Sequence, residues 1–404
     1  MMATLPALLL VGPRATGKTT TARRYAKGVA RLDRPAEAAA FVADPDAALR
    51  ALPEPVLLDE WQAAPGVLGA VKRAVDDDPR PGRFLLTGSV TADLDAETWP
   101  GTGRVVRVPM FGFTMRELDG RHAGPGFVDL LATGQLDALT VPPEPPDLPG
   151  YVELALRGGF PDAVIGSAAP ERGLWLDGYL DQLLTRDAAG ATGRDPARLR
   201  RYFEALALHS AGLAEQKTLY DAAGIDRKTA DAYERLLISL LVLELVPAWL
   251  TNRLSRLVKS PKRYLIDPSL MGAALRLDVA AVMRDGDLLG RILDTFVAAQ
   301  LRPELALSRA RPRLYHLREK NGRRELDLLV ELGAYRIVAI EVKATAAPTR
   351  DDGRHLAWLR DELGDRFVAG AVLHTGPGRF TLGRRIVAAP IACIWGPRRC
   401  RGGR

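Results

Sequence analysis

The segment Gly12-Pro13-Arg14-Ala15-Thr16-Gly17-Lys18-Thr19 fits the phosphate-binding pattern G-x-x-x-x-G-K-[ST] at every defined position. An apolar run, residues 8–11, precedes it as a buried strand would, and a helix-compatible stretch, residues 19–27, follows it. Glycines at positions 12 and 17 let successive backbone N–H groups converge on phosphate oxygens, and the next helix adds the positive end of its dipole. A chance Gly-rich turn is the alternative, but the flanking strand and helix favour a nucleotide site.

The side chains of this segment predict separate roles around ATP and Mg²⁺, which are the expected cofactors. Lys18 places a positive charge at the β- and γ-phosphates, so it is also a predicted catalytic residue. The Thr19 hydroxyl is placed to ligate Mg²⁺. The predicted nucleotide-binding residues are Gly12, Pro13, Arg14, Ala15, Thr16, Gly17, Lys18, Thr19 and Thr20.

The overall composition is typical of a globular protein with two or three domains. Of the 404 residues, 47% are hydrophobic and 26% are charged. No apolar run approaches the ~20 residues that span a bilayer, and the N-terminus lacks a leader pattern, so we expect a cytoplasmic protein without membrane contact. The two cysteines, Cys393 and Cys400, suit neither a disulfide framework nor a zinc site. The net charge of +7 permits contact with nucleic acid without showing it.

Residues 1–120 are predicted to form an α/β domain with a parallel sheet. Strands are expected at residues 5–11, 55–60, 83–88 and 104–108. Because these strands are apolar throughout and alternate with helices, they indicate a sheet covered on both faces. Residues 121–150 end in a proline-dominated run, 140–150. We predict a linker or lid there, since proline continues neither a helix nor a central strand.

The rest of the chain is predicted to contain a helical region, residues 151–284, and a second α/β domain, residues 285–404. Residues 216–237 have the form of two helices joined by a turn at Gly224. Apolar alternation at residues 243–250 and 263–266 predicts a small β-wing. In the last region the predicted helices are 288–301 and 352–363, and the predicted strands are 313–317, 325–331, 336–343, 366–373 and 391–395.

Acidic and hydroxyl side chains at strand ends extend the predicted nucleotide site. In a P-loop sheet such ends lie beside the phosphates, so we assign Asp59 to Mg²⁺ and Glu60 to polarising the attacking water. A helix N-cap acid followed by a surface acid is the alternative. Thr87 and Ser89 are candidates for sensing the γ-phosphate or orienting the water, or are turn-forming residues. Arg104 is a candidate phosphate contact in the same chain, an arginine finger toward another subunit, or a surface arginine.

A second candidate site lies near the C-terminus. Side chains alternate along a strand, so Glu341 and Lys343 share a face, and a hairpin with the preceding strand would bring Asp327 to them. Asp327 and Glu341 would hold Mg²⁺, and Lys343 would position or activate water for phosphodiester hydrolysis. Asp294, on the helix before, is a candidate third carboxylate. The alternative, which spacing alone favours, is a solvated face with cross-strand ion pairs.

The arrangement as a whole resembles a prokaryotic family of AAA-type ATPases that join an N-terminal P-loop domain to a C-terminal domain of unknown function, number 4143. The segments that carry the resemblance are the P-loop, Leu57-Leu58-Asp59-Glu60, residues 85–89, Lys259-Ser260-Pro261-Lys262 with Tyr264 and Asp267, and Glu325-Leu326-Asp327 with Ile340-Glu341-Val342-Lys343. The resemblance implies a winged-helix middle region and a C-terminal domain similar to the PD-(D/E)xK, restriction-endonuclease-like fold. Asp327, Glu341 and Lys343 would be its motif residues, whereas Asp294 stands where family members often carry Glu.

Three functions remain as hypotheses. The first is an AAA-type ATPase that hydrolyses ATP with Mg²⁺ and uses the cycle to rearrange its C-terminal half or a bound partner. The second is a nucleotide-gated DNA-binding regulator with slow or no hydrolysis, suggested by the helix-turn-helix with Arg227 and Lys228. The third is an ATP-dependent nuclease. ATP is the expected small-molecule partner, DNA and another protein are the candidate macromolecular partners, and a homo-oligomer is a candidate state.

Overall fold

The computed structural model describes residues 1–88, 103–120, 124–166, 168–187, 195–249, 260–308, 310–319 and 323–396. Ser89, Lys259 and Cys400, which the sequence singles out, lie outside these residues. The chain divides into two compact units. Met1–Phe111 and Ser239–Leu241 belong to the first unit, and Gly112–Ile238 and Val242–Arg404 belong to the second. Among the helices of the described ranges, none combines the length and the apolar character needed to cross a membrane.

The first unit is built on a five-stranded sheet in which every pairing is parallel, as the apolar strands predict. The strands are β1 (Ala7–Val11), β2 (Gly28–Arg31), β3 (Val56–Asp59), β4 (Phe84–Thr87) and β5 (Val105–Pro109). They lie in the order β2-β3-β4-β1-β5. The helices are α1 (Lys18–Arg23), α2 (Pro35–Ala43), α3 (Pro45–Arg50) and α4 (Val67–Asp77), and a 3-10 turn spans Trp61–Ala63.

Successive side chains of β1 enter two different cores of the first unit. Ala7 and Leu9 join one apolar cluster, whereas Leu8 and Leu10 join another. The strand is therefore buried on both faces, which explains why it reads as an unbroken apolar run. β2 is absent from the sequence-based prediction because it has only four residues and begins with glycine. The helix expected over residues 19–27 ends earlier, at Arg23.

The N-terminal part of the second unit is helical. Its helices are α5 (Met115–Leu118), α6 (Phe127–Ala132), α7 (Leu148–Arg157), α8 (Pro161–Val164), α9 (Ala169–Gln182, continued by a π-helical turn, Leu183–Asp187), α10 (Pro196–Leu208), α11 (Gln216–Ala223), α12 (Arg227–Ser239), α13 (Ser269–Leu275) and α14 (Val279–Arg284). Gly224 ends α11 in the left-handed region, with φ of 63°, and so allows the turn into α12. β6 (Leu243–Val246) and β7 (Lys262–Leu265) then pair in antiparallel fashion. The predicted helix-turn-helix and small hairpin are both present.

The C-terminal part of the second unit is a long helix, α15 (Gly286–Leu307), followed by a six-stranded mixed sheet. The strands are β8 (Arg313–Arg318), β9 (Glu325–Glu331), β10 (Ile337–Val342), β11 (Phe367–His374), β12 (Phe380–Gly383) and β13 (Ile386–Pro390), and α16 (Arg354–Leu363) lies between β10 and β11 in sequence. The order in the sheet is β12-β13-β11-β10-β9-β8. β9 and β10 form the predicted antiparallel pair.

Two sequence-based predictions are wrong in this unit. The strand expected at residues 391–395 is a buried 3-10 turn, Ile391–Ile394, because a short apolar run does not by itself distinguish a strand from a buried helical segment. The run 140–150 was predicted to exclude helix, yet α7 begins at Leu148. Pro149 lies in the first turn, where its missing N–H leaves no bond unmade, and Asp147 caps the helix through Gly150 N at 2.9 Å.

The predicted linker, residues 121–150, also contains a packed element. α6 buries Phe127, Val128 and Leu131 and packs against β10 and β11. This part of the chain is therefore anchored to the C-terminal sheet by an apolar helix face and is more than a simple connection.

Candidate functional site

The phosphate-binding loop connects β1 to α1 as a closed turn. Gly17 precedes α1 with φ of 82°, a conformation that glycine adopts without steric cost. Ala15 also has a positive φ, 59°. The Thr16 hydroxyl donates to the Pro13 carbonyl at 2.9 Å and closes the loop from inside. The shape that the sequence pattern predicts is therefore set mainly by main-chain geometry.

Gly12 is required for packing as well as for loop shape. A Cβ atom at Gly12 would lie 2.1 Å from the carbonyl oxygen of Met110. The N–H group of Met110 donates to the Val11 carbonyl at 2.7 Å, which holds the chain after β5 against the loop. Any side chain at position 12 would have to displace this backbone.

Lys18 lies buried within the loop. Its ammonium donates to the carbonyls of Gly12 at 2.9 Å and Pro13 at 2.7 Å. Burial lowers the pKa of Lys18 to about 8, opposed by the charge of Glu60, reinforced by that of Arg14 and opposed again by Asp59. The loop thus concentrates a positive charge among its own carbonyl groups. Of the other predicted nucleotide ligands, Arg14, Ala15 and Thr20 are exposed.

One carboxylate oxygen links the loop to two strand ends. Oδ1 of Asp59 accepts a hydrogen bond from Thr19 Oγ1 at 2.7 Å and another from Thr87 Oγ1 at 2.5 Å. The strand order explains this, because β4 lies between β1 and β3 and pairs Thr87 with both Leu10 and Asp59. Thr87 therefore lies against Asp59 at the end of β4, and its role toward the γ-phosphate stays a prediction.

The donor set at this point fits Mg²⁺. Hydroxyl and carboxylate oxygens are its preferred ligands, and Mg²⁺ commonly takes one or two protein oxygens together with substrate phosphates and water. Thr19 and Asp59 present such oxygens side by side. Within the part of the chain that the structure describes, no group of three or more His, Cys, Asp and Glu side chains could hold a metal ion.

Glu60 follows Asp59 in the left-handed region, with φ of 52°, at the start of the turn Trp61–Ala63. Its Oε2 accepts a short hydrogen bond from Gln62 Nε2. No sequence motif identifies Gln62. Its Oε1 has no hydrogen-bond partner among the described residues and would lie 2.6 Å from a Cβ atom at Gly88. The glycine after Thr87 thus leaves room for the side chain that orients Glu60.

Arg104 lies far from the phosphate loop, so its predicted role as a phosphate contact in the same chain is wrong. β5 runs parallel to β1, with Val105 beside Ala7 and Pro109 beside Val11. Arg104 therefore lies at the amino ends of β1 and β5, whereas the loop follows the carboxyl end of β1. Arg104 pairs with Asp76, Nε to Oδ1, at 2.6 Å.

The four predicted residues of the C-terminal site do come together, but around an additional lysine. Lys262 Nζ donates to Asp294 Oδ2 at 2.6 Å and lies 3.2 Å from Asp327 Oδ1. The Tyr264 hydroxyl donates to Asp294 Oδ1 at 3.1 Å. Spacing could not reveal Lys262, because it comes from the β6–β7 hairpin, although the Lys-Ser-Pro-Lys motif includes it.

Glu341 and Lys343 complete this group, which we call the carboxylate cluster (Lys262, Asp294, Asp327, Glu341 and Lys343). Lys343 Nζ donates to Glu341 Oε1 at 2.7 Å, and the Val342 N–H donates to Asp327 Oδ2 at 2.9 Å. Glu341 Oε2 is buried and has no hydrogen-bond partner among the described residues. The alternative of a solvated face is therefore wrong for most of the cluster, which is a buried ion-pair network.

Burial changes the protonation of the carboxylate cluster. It raises the pKa of Glu341 to about 8, with a further contribution from the Asp327 charge. It also raises the pKa of Asp294 to about 6, opposed by Lys262. Burial alone would lower the pKa of Lys262, but the neighbouring Asp294, Tyr264 and Asp327 hold it well above its usual value.

Three domain families match the sequence. They are an AAA domain over residues 5–119, a domain of unknown function (DUF8612) over residues 148–281 and a domain of unknown function (DUF4143) over residues 289–394. Two of the three matches correspond to the two domains of the family that the sequence motifs suggest.

Curated relatives match nearly the whole chain. An uncharacterised protein of Mycobacterium tuberculosis (strain H37Rv) and one of Mycobacterium bovis are each 30% identical over 391 residues, which cover 95% of this chain and 80% of the relative. Among solved structures, a Walker-type ATPase of Pyrococcus abyssi is 14% identical, with 68% of this chain and 91% of that chain covered and a TM-score of 0.39. The chain belongs to the family of AAA-type ATPases that carry a C-terminal DUF4143 domain.

Proposed function

We propose that this protein is an ATPase that hydrolyses ATP with Mg²⁺. The observation that carries the proposal is the joining of Thr19, Asp59 and Thr87 through one carboxylate oxygen, next to a loop that buries Lys18. A phosphate loop alone would support binding only. An acid that contacts both the loop helix and an intervening strand supports a site arranged for hydrolysis.

Each side chain then has a defined task. Lys18 and the loop N–H groups bind the phosphates, while Thr19 and Asp59 would hold Mg²⁺. When bound, the ion would neutralise negative charge on the phosphates. Glu60, oriented by Gln62, accepts a hydrogen bond from the attacking water and polarises it. Thr87 fixes the rotamer of Asp59 and lies where a γ-phosphate contact is expected. Ser89 remains a candidate for the same contact.

ATP turnover with Mg²⁺ tests this assignment. We expect Lys18→Ala to lose nucleotide binding and turnover together, because the buried positive charge is removed. Glu60→Gln should keep binding and lose about 10²–10⁴-fold in kcat, the usual contribution of a positioned general base. Asp76→Asn, an acid paired with Arg104 at the opposite sheet edge, is the matched control and should leave kcat unchanged. If Glu60→Gln hydrolyses ATP at the wild-type rate, Glu60 is not the base. If the wild type binds no Mg-nucleotide, the ATPase proposal fails.

The finer domain assignments are part of the same proposal. Residues 1–120 would be the ATPase domain, 121–150 a lid or linker, 151–284 a helical and winged-helix region and 285–404 a PD-(D/E)xK-like domain. The support for the winged helix is the turn from α11 into α12 followed by the β6–β7 hairpin. The support for the nuclease-like fold is the placement of Asp327 and Glu341 on adjacent strands beside α15.

A second candidate function is a nucleotide-gated DNA-binding regulator. The helix-turn-helix geometry favours it, and Lys217, Arg227 and Lys228 are exposed on its two helices. Asp231 lies 4.0 Å from the Arg227 guanidinium and reduces the positive field there. Fluorescence anisotropy with duplex DNA, with and without ATP, tests this function. A regulator should bind DNA in a nucleotide-dependent way that Lys228→Glu weakens. DNA binding that is unaffected by ATP and by Lys228→Glu would argue against a regulator.

A protein partner and a homo-oligomer are further proposals, which pull-down with ATP and light scattering would test.

A further inference from the structure

We propose that Lys262 is the resident cation of the carboxylate cluster and that it excludes a divalent metal from the position between Asp294 and Asp327. This inference concerns the second unit alone and does not depend on ATP hydrolysis. It gives a role to the Lys-Ser-Pro-Lys motif, which the nucleotide site leaves unexplained. It also decides between the nuclease hypothesis and a purely structural role for these acids.

The fold that the sequence resembles implies a divalent metal at these carboxylates, so the fit of a metal can be tested. The oxygens that would bind it are already engaged. Lys262 Nζ lies 2.6 Å from Asp294 Oδ2 and 3.2 Å from Asp327 Oδ1, in the space between the two acids. Mg²⁺ requires oxygens at about 2.0–2.1 Å in near-octahedral geometry. An ammonium group at this point occupies the volume and repels a second cation. The residues present therefore do not fit a metal here.

The outer oxygens of the two acids are also satisfied. Asp294 Oδ1 accepts from Tyr264 at 3.1 Å, and Asp327 Oδ2 accepts from the Val342 N–H at 2.9 Å. A metal would have to compete with the tyrosine and with a main-chain donor as well as with Lys262. Within the carboxylate cluster, the buried Glu341 Oε2 lacks a hydrogen-bond partner among the described residues, and a single oxygen makes a poor metal site.

Lys262 is not free to swing out of this position. Its side chain is only 3% exposed, whereas that of Lys343 is 35% exposed. The strand that carries it is held on both sides. Val246 pairs with Lys262 across the hairpin, the Arg263 carbonyl accepts from the Ala211 N–H at 2.7 Å, and the Leu265 N–H donates to Ser210 Oγ at 3.1 Å. The cation is thus built into the β6–β7 hairpin and reaches the acids of α15 and β9.

Removal of the lysine side chain should convert the cluster into a metal site. Without Lys262, oxygens of Asp294 and Asp327 would face an unneutralised position, which is the hard, anionic environment that Mg²⁺ and Mn²⁺ bind. Lys343 pairs with Glu341, and its side chain is 35% exposed against 3% for Lys262. Removal of Lys343 should not have this effect.

Mn²⁺ binding, measured by electron paramagnetic resonance on the full chain without nucleotide, tests the proposal. Every sample also carries Asp59→Asn, so that the first unit contributes no bound Mn²⁺. With Lys262 intact we expect no bound Mn²⁺ that depends on Asp327. With Lys262→Ala we expect one bound Mn²⁺ per chain, at an apparent affinity at least about tenfold higher than that of protein with Lys262 intact. Adding Asp327→Asn to this variant should abolish the bound Mn²⁺. Lys343→Ala is the matched control and should gain no site.

Two results would overturn the proposal. One is an Asp327-dependent Mn²⁺ site in protein that retains Lys262. This measurement needs no change at Lys262 and is decisive even if that variant does not fold. The other is a folded Lys262→Ala protein, checked by circular dichroism, that gains no Mn²⁺.

Discussion

The phosphate loop and the carboxylate cluster both place a buried lysine near two or more acids, yet they neutralise charge in different ways. In the loop, Lys18 is held by main-chain carbonyls, while Asp59 is held by two hydroxyl groups. Neither charge is neutralised by direct contact with the other, so an anion and a cation can each find a partner there. In the cluster, Lys262 contacts Asp294 and Asp327 directly. The comparison teaches that motif residues alone do not define a ligand site, because what lies between them decides whether a ligand is needed.

The largest expected effect follows from breaking the internal neutralisation of the cluster. Lys262→Met keeps the length of the side chain and removes its charge, which leaves the buried Asp294 and the half-buried Asp327 without their shared cation. We expect a loss of about 3–5 kcal/mol in the free energy of unfolding of the second unit, measured by urea titration.

Lys343→Met is the matched change for this experiment, since its side chain is 35% exposed and pairs with one acid. It should cost no more than about 1 kcal/mol. Equal losses for the two lysines would show that Lys262 does not hold the cluster together.

The next effect concerns the hydroxyl groups that hold Asp59. Thr87→Val keeps the shape of the side chain and removes its hydrogen bond to Asp59. A hydrogen bond to a charged group contributes about 1.5–3 kcal/mol, so we expect kcat/KM for ATP to fall about 10- to 100-fold in steady-state assays. Thr87→Ser retains a hydroxyl and should remain close to wild type. Unchanged activity in Thr87→Val would reduce Thr87 to a turn residue, the alternative that the sequence left open.

A smaller effect is a pH dependence that only the loop should show. The pKa of Lys18 is lowered to about 8, and phosphate binding requires the protonated form. Nucleotide affinity should therefore be flat between pH 7 and 8 and should weaken above pH 8, by up to about tenfold per pH unit. Calorimetry in buffers of different ionisation heat should detect proton uptake on binding at pH 8.5. An affinity that stays constant to pH 9.5, with no proton uptake, would show that Lys18 remains charged throughout.

The smallest effect is expected at Arg104, which belongs to neither site. Arg104→Ala removes an exposed ion pair with Asp76, so the free energy of unfolding should stay close to that of the wild type. ATP turnover should stay within about twofold of wild type. A loss of about 10³-fold or more would mean that Arg104 acts as an arginine finger toward another subunit.

The features that the sequence predicts best are contiguous. The phosphate loop is one uninterrupted motif, and its strand and helix neighbours follow from local apolar patterns. Asp59 and Glu60 could be assigned because they directly follow an apolar strand. The meeting of Asp327 with Glu341 followed from the period of a strand and one hairpin. In each case the information lies within a few residues of the side chain concerned.

The features that the sequence does not predict depend on distant pairings. Thr87 reaches Asp59 only because β4 lies between β1 and β3, and strand order is not encoded in spacing. Lys262 reaches Asp294 and Asp327 from a different hairpin. Gln62 has no motif, and its role depends on the absence of a side chain at Gly88.

The contact between Gly12 and Met110 has an asymmetric consequence for how the two positions can vary. The atom that would collide with a Cβ at position 12 is a main-chain carbonyl oxygen, and the bond that holds it in place comes from a main-chain N–H. Every amino acid except proline offers the same two groups. Position 110 can therefore accept other side chains while its carbonyl oxygen still excludes any side chain at position 12. No replacement at position 110 could compensate for a change at position 12.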